Sequence, residues 1–523
     1  MEIDWDRVKR LQQQHLADER IREVQQGQGK PIISGTLGDH TIVGVANTVY
    51  WGKGWKTFPD FLSHYLKTKL GPEWGNAEIA KPFAQRHPII QWYQICCEHQ
   101  HATIKIPDEV SSAEITGIVM CYLGLAYGLY LLDHNVELQE RLIRRLKDPG
   151  NFQGAYYEVI VARVLLKAGF TLALEDETDG LTKHCEFSAT SKTGKKYWVE
   201  AKMRAVAGRL GKTRLDGSSD DKPTKKVVTH LNAALAKPAA NERLIFIDQN
   251  TEHGLQGDVE NPRWMAPLAS RLEQYEQREM PPGTRGYLFV TNIAYHLQLT
   301  RRPVASVFPY GLGMPDFMKP GTIQLGDAYR RKRAHADAYA ILNSFQTDMT
   351  FPTTFDGSLP SVAFDGAQRI LIGETYRFES GDSSPDVVGT VTSATVDEPR
   401  SEMILGITRG TVHSTLRRPM SEAELRDFRA HRDAYFGEVT MSGRTITEPL
   451  EMLEWLIEAE AGRTRESFLA HLRQRPDYAR YEAMSDDDLR IAHAELMVAS
   501  MWTKPRPVDN GVHDSGGASS GAG

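Results

Sequence analysis

Residues 195–203 read KKYWVEAKM, and just before them residues 184–190 read HCEFSAT. Side chains on a β-strand alternate between its two faces. In the first stretch Trp198, Glu200 and Lys202 therefore share one side, and Tyr197, Val199, Ala201 and Met203 form an apolar packing side. In the second, His184, Glu186 and Ser188 oppose Cys185, Phe187 and Ala189. The turn-forming TSKTGKK, residues 190–196, joins the two into a predicted hairpin. Glu186 and Glu200 then stand side by side with Lys202 next to them.

Upstream, AYYEVIVARVLLKAG (155–169) has helical periodicity and stops at Gly169. Glu158 shares a face with Val161, Ala162 and Leu165, while Arg163 and Lys167 fall toward the other side. A carboxylate aimed at an apolar interior needs a partner: a buried arginine, a hydrogen-bond network or a metal. Downstream, FTLALE (170–175) reads as a strand ahead of the hairpin, TKKVVTHLNAALAKPA (224–239) as a helix, and RLIFID (243–248) and GYLFVTN (286–292) as strands. The predicted order is α-β-β-β-α-β, an α/β core with mixed strand directions.

Two carboxylates, a lysine and a third carboxylate from a helix suit one chemistry well. Hard oxygen ligands hold Mg²⁺ or Mn²⁺. Such an ion neutralises a phosphodiester and activates water, and the lysine orients or deprotonates that water and stabilises developing charge. An exposed strand face carrying a charge pair is the plainer alternative for Glu200 and Lys202.

These residues resemble the PD-(D/E)xK nuclease superfamily, through Glu158 in YYEVIVARVLLKAGF, Glu186 in HCEF, and Glu200-Ala201-Lys202 in WVEAK. The resemblance covers residues 150–300 and implies a restriction-endonuclease-like core. It implies an Mg²⁺- or Mn²⁺-dependent nuclease acting on DNA, in restriction or phage defence, with Glu158, Glu186 and Glu200 around the metal and Lys202 at the attacking water. Where the family usually has Asp after Pro, this chain has Cys185-Glu186, so Asp176 and Asp179 stand as replacements for Glu186. Cutting both strands of a duplex with one site per chain would call for a homodimer, and the large accessory regions suggest an activating protein partner. A protein that keeps the fold and binds nucleic acid without turnover is the rival expectation.

Around this core the 523 residues leave room for further domains. Residues 1–149 read as mainly helical, ending at Pro149-Gly150. Residues 301–350 read as a helical extension, 351–366 (FPTTFDGSLPSVAFDG) as a linker, 363–440 as a small β-module, 445–505 as helices, and 506–523 as a disordered tail. Residues 115–132 (ITGIVMCYLGLAYGLYLL) carry no charge and approach the length of a membrane span, but three glycines and three tyrosines favour a buried helix, and no membrane is expected as partner.

Net charge is −6, which argues against coating nucleic acid with the whole surface and leaves local basic patches open. Arg204, Arg209, Lys212 and Arg214 follow the proposed lysine in a Gly-rich loop that reads either as a phosphate contact or as an ordinary solvated loop. Arg330, Arg331, Lys332 and Arg333 are a solvated helix end or a phosphate clamp, and Trp51, Trp55 and Phe58 beside Lys53 and Lys56 are base-stacking or, more in keeping with their number, core. His134, His184 and His230 have no metal-site spacing. Cys96, Cys97, Cys121 and Cys185 form neither CxxC nor a zinc pattern, and the charged N-terminus lacks a signal-peptide core, so a reducing cytoplasm is the expected location.

Overall fold

The computed structural model describes residues 4–106, 109–174, 186–211, 226–252, 262–319, 323–378, 386–440 and 446–502. In chain order these form α1 (Trp5–Gln26), β1 (Ile33–Leu37), β2 (His40–Val45), β3 (Thr48–Lys53), α2 (Phe58–Leu70), α3 (Pro72–Ile79), α4 (Pro88–Thr103), α5 (Gly117–Asn135), α6 (Glu140–Lys147) and α7 (Phe152–Lys167). There follow β4 (Thr171–Leu174), β5 (Phe187–Thr190), β6 (Lys196–Met203), α8 (Val227–Leu235), β7 (Glu242–Asp248), α9 (Met265–Arg278), β8 (Gly286–Asn292) and β9 (Ser306–Leu312). The remainder is α10 (Leu325–Ala334), α11 (Ala336–Gln346), α12 (Pro360–Asp365), β10 (Thr375–Phe378), β11 (Val387–Asp397), β12 (Glu402–Arg409), β13 (Val412–Pro419), α13 (Glu422–Ala430), α14 (Pro449–Ala459), α15 (Arg465–Leu472), α16 (Tyr478–Glu482) and α17 (Asp486–Met501). The class is mixed α/β.

The central sheet has the order β4-β5-β6-β7-β8-β9. Its pairs are antiparallel except β6 with β7 and β7 with β8, which run parallel. Parallel neighbours need a crossover, and α8 and α9 supply them. Strand β7 is buried on both faces: Leu244 and Phe246 join one core with α7, while Ile245 and Ile247 join another with Leu231 of α8 and Leu268 and Leu272 of α9. The result is helices on both sides of a sheet.

Helix α7 is enclosed almost along its whole length. Arg163 and Lys167, expected on a side away from the core, are both buried, at 1% and 5% exposure. An unpaired buried charge is costly, and each has its partners. Arg163 makes two hydrogen bonds to Asp348, Nε to Oδ1 at 2.8 Å and Nη2 to Oδ2 at 2.6 Å, and donates a third to the carbonyl of Gly124. Tyr295 donates to the same carboxylate at 3.0 Å. Lys167 donates to the carbonyls of Thr347 and Thr350, and burial pulls its ammonium down to about 8.

The apolar segment 115–132 lies in α5, the one helix among the described residues long and apolar enough to cross a membrane; 94% of it is buried inside the protein. Its glycines are there for proximity. A Cβ on Gly128 would meet Val159 at 2.6 Å, and one on Gly117 would meet the Gln298 carbonyl oxygen at 2.3 Å.

Several sequence boundaries do not separate cores. One hydrophobic interior runs from Val43 through α2, α5, α7 and the central sheet to Leu342, so Pro149-Gly150 ends a helix but divides nothing. The N-terminal region also contains an antiparallel sheet, β1-β2-β3, whose short hydrophobic stretches were hidden in an otherwise helical pattern. The putting-together of the β-module is likewise non-local: β10 to β13 share a core with Ala17 and Ile21 of α1. The segment read as a linker is packed, with Thr354, Leu359 and Ser361 all buried. Residues 301–350 supply strand β9 and helix α11 to the main body, while residues 322–334 belong with the C-terminal helices in a second compact unit. The predicted disordered tail lies outside the described residues.

Removing one partner of a buried ion pair strands the other. Arg163→Ala or Asp348→Ala should therefore lower stability by about 3–5 kcal/mol, against less than about 1 kcal/mol for Arg417→Ala in the exposed pair with Glu402, measured by urea unfolding. Equal losses from the two kinds of variant would contradict this account of α7.

Candidate functional site

Strand register brings the first two carboxylates together. Phe187 pairs with Val199, and the amide of Glu186 donates to the carbonyl of Val199 at 3.1 Å, which sets Glu186 beside Glu200 at the mouth of the β5–β6 hairpin. Phe187, Val199 and Ala201 turn into the main core, as alternation requires. Lys202 then reaches both carboxylates: its Nζ lies 2.6 Å from Oε1 of Glu186 and 2.7 Å from Oε1 of Glu200.

Two cations that sequence reasoning passed over complete the cluster. Lys237 follows α8, its carbonyl held by Arg243 of β7, and its Nζ lies 2.7 Å from Oε1 and 2.8 Å from Oε2 of Glu200, and 3.8 Å from Glu186. Arg145, in the last turn of α6, grips Glu158 with two bonds of 2.6 Å. Glu158, Glu186 and Arg145 line one small cavity of about 40 Å³ together with Leu142, Leu174 and Phe187. Glu158 has thus found the arginine partner foreseen as one alternative for it.

The charges tune one another. Burial raises the carboxyl of Glu158 above its ordinary value, and Glu186 adds to this, while Arg145 and Lys202 oppose it. Burial also acts on Glu186, but Lys202, Lys237 and Arg145 outweigh it and hold that carboxyl below the usual range. For Lys202, burial alone would favour the neutral amine; Glu186 and Glu200 overcome it and raise its pKa, so it is a firm cation at neutral pH. A lysine in that state donates hydrogen bonds and does not accept a proton from water.

Glu200 is 3% exposed, and its Oε1, although ion-paired at 2.7 Å by both lysines, receives no aligned hydrogen bond. A buried carboxylate oxygen with an open lone pair beside a second carboxylate is the donor type that hard divalent cations take. Glu186 and Glu200 therefore fit such an ion. Glu158 would serve as third ligand on release from Arg145. Among the described residues, no three of His, Cys, Asp and Glu already converge as a metal-holding group.

Of the basic loop, Arg204 is not a phosphate contact. It is buried and donates from Nε to the carbonyl of Gln249 at 2.6 Å, stapling the end of β6 to the end of β7. Arg209 is partly open and also bonds the Asn250 carbonyl. Lys212, Arg214, Asp176, Asp179 and His184 lie outside the described residues. Phe58 is fully buried and Trp55 packs on Phe61, as core; Trp51 is instead 65% exposed. Arg330 and Lys332 are occupied by Asp327, Asp488 and Glu454 within the second unit. His134 bonds the Pro31 carbonyl, and half-buried His230 is held below its ordinary value chiefly by burial and then by Lys202.

Arg145→Ala tests the cluster's electrostatics. Because Glu158 titrates above 4.5 in the folded protein, its contribution to stability is full below 4.5 and is lost as pH rises through the folded value. Removing Arg145 raises that value further. The variant should therefore lose little stability near pH ~5 and progressively more toward pH ~8, and the added substitution Glu158→Gln should remove most of that pH-dependent loss; a loss independent of pH would contradict the assignment. No family model, curated protein or solved structure matches this chain, so the site stands on its own residues.

Proposed function

We propose that the protein is a metal-dependent nuclease with a restriction-endonuclease-like core, hydrolysing phosphodiester bonds of DNA. The observation that carries this is the ammonium of Lys202 between Glu186 and Glu200, at 2.6 and 2.7 Å, on adjacent antiparallel strands. The order α7-β4-β5-β6-α8-β7 is the support at the level of the fold. Glu186, Glu200 and, once freed from Arg145, Glu158 hold Mg²⁺ or Mn²⁺. A divalent ion bound there supplies charge neutralisation of the phosphodiester and a more acidic water.

The chain's own groups do the rest. Lys202, held as a cation, donates to the attacking oxygen and to the charge that gathers on the phosphoryl oxygens. Lys237 holds the Glu200 carboxylate from its other flank, at 2.7 and 2.8 Å. Arg145 holds Glu158 with two hydrogen bonds, so Glu158 would join the other two carboxylates as a ligand only on release from that arginine. DNA as substrate, a homodimer to cut two strands, an activating protein partner, a cytoplasmic setting and a role in restriction or phage defence all rest on the resemblance of the residues.

A second reading has its own observation. Arg145, Lys202 and Lys237 balance Glu158, Glu186 and Glu200 charge for charge, an arrangement that is satisfied without any metal. On that reading the protein is a nucleic-acid-binding scaffold that never turns over.

Cleavage of plasmid, linear duplex, single-stranded DNA and RNA in Mg²⁺ or Mn²⁺ separates the two. The nuclease should cut at least one substrate, and Lys202→Ala and Glu200→Ala should each slow cutting about a hundredfold or more. Equal cutting by wild type and both variants, or nucleic-acid binding with no cutting in any metal, would favour the scaffold.

A further inference from the structure

We infer that a cavity beside the start of α4 receives a backbone phosphate and adjoining nucleotide of the nucleic-acid strand. This deepens the proposed function and rests on its substrate class. The cavity measures about 560 Å³, within the ordinary range for a small-ligand site.

Its charge is opposite to that of the chain. Lys81, Arg86 and Arg209 line it against the single carboxylate of Glu78, so with neutral histidines the wall carries three positive charges less one negative, or +2, in a protein of net charge −6. Lys81 is bound to Glu78 at 2.6 Å. Arg209 also has a partner outside the wall, the exposed Glu252 at 3.4 Å, so the charge within the wall not met by a carboxylate sits on Arg86, steadied by the Lys81 carbonyl and Gln94. A local positive wall in an acidic protein concentrates phosphate where it is wanted.

Two histidines of the wall keep unspent ring nitrogens. His87 is 3% exposed; its Nδ1 accepts from the amide of Ile89, which leaves the proton on Nε2, and Nε2 has no partner. His296 has no partner on either ring nitrogen. Burial, with Arg209 adding to it for His296, keeps both rings neutral, His87 at about 4 and His296 at about 3. A buried donor without an acceptor is costly to leave, and an anionic oxygen in the cavity relieves that cost. The loop that carries Arg209 has left-handed backbone at Gly208, Leu210 and Gly211, with φ of 77°, 47° and 77°. Leu210 adopts it without being glycine, a strain that needs a local reason, and turns of this kind form the concavities in which backbone amides meet anions.

Placement links the cavity to the cutting site. The side chain of Gln153 bonds the carbonyls of Val206 and Arg209, fixing the loop to the first turn of α7. Glu158 lies five residues further along the same helix, so α7 carries both the anchor of this loop and one carboxylate of the cluster.

The test measures binding of short fluorescent DNA and RNA oligonucleotides to the full-length protein in EDTA, where cutting cannot intervene, across a salt series, with inorganic phosphate and a nucleoside monophosphate as competitors. Arg209→Ala and Arg86→Ala should each weaken binding about tenfold and reduce the salt slope by about one. Arg209→Lys should recover most of the affinity, and thermal unfolding should show each variant folded. Arg417→Ala, which removes an exposed arginine of the β-module, should bind as wild type does. Folded Arg209→Ala and Arg86→Ala that bind with unchanged affinity and slope would overturn the proposal, as would a monophosphate that binds while oligonucleotides do not. Arginine-dependent binding without cutting in metal would sink the nuclease and leave the cavity standing; cutting with arginine-independent binding would do the reverse.

Discussion

A guanidinium removed from water holds the centre of this molecule in register. Arg163 lies in α7, takes the carboxylate of Asp348 from the far side of the central sheet's sequence, and bonds the backbone of α5 at Gly124. Such a pair is poor as a source of net stability but strict about geometry, since any shift of one helix leaves a charge without its partner. Glu158 sits on the same helix, so its position relative to β5 and β6 inherits that strictness. The glycines of α5 follow from the same constraint. A side chain at position 124 would come within 3.0 Å of the arginine, and one at position 128 would strike Val159.

The carboxylate cluster obeys a related rule in a less enclosed setting. Three acids gathered under apolar cover cannot all stay ionised unless cations accompany them. Arg145, Lys202 and Lys237 do so from three separate elements, α6, β6 and the exit of α8. Each acid is thereby paired and oriented by a cation of its own. The cluster is thus a set of matched ion pairs and not an empty cage of like charges.

What could be read in the sequence was whatever left a period. Alternation in β6 separated Glu200 and Lys202 from the packing face, and the apolar runs of β7 and β8 marked strands buried on both sides. Arg145 and Lys237 left no such trace. One is the middle of three bases, Arg144, Arg145 and Lys147, in the last turn of an amphipathic helix, the other a lysine between a helix end and a proline, and only the folded chain shows what they meet. Arg163 misled because helical spacing reports which residues share a side, and α7 has no outer side. The sheet β1-β2-β3 and the packed segment after α11 escaped because short elements and Pro-Gly-rich composition look alike whether or not something covers them.

The joining of α1 to the β-module has a consequence for how the chain comes into being. Ala17 and Ile21 share a core with Val391, Met403 and Leu405, and Arg20 pairs with Asp433, 413 residues away. At about 5–20 residues per second of synthesis, α1 waits on the order of 20–80 s before the strands that cover it exist. Closing so long a loop is slow, so the module is the last part of the larger unit able to fold. Until then Ala17 and Ile21, which the finished module covers, stay open to water, and the helix depends on its own solubility, or on a chaperone, to survive the interval.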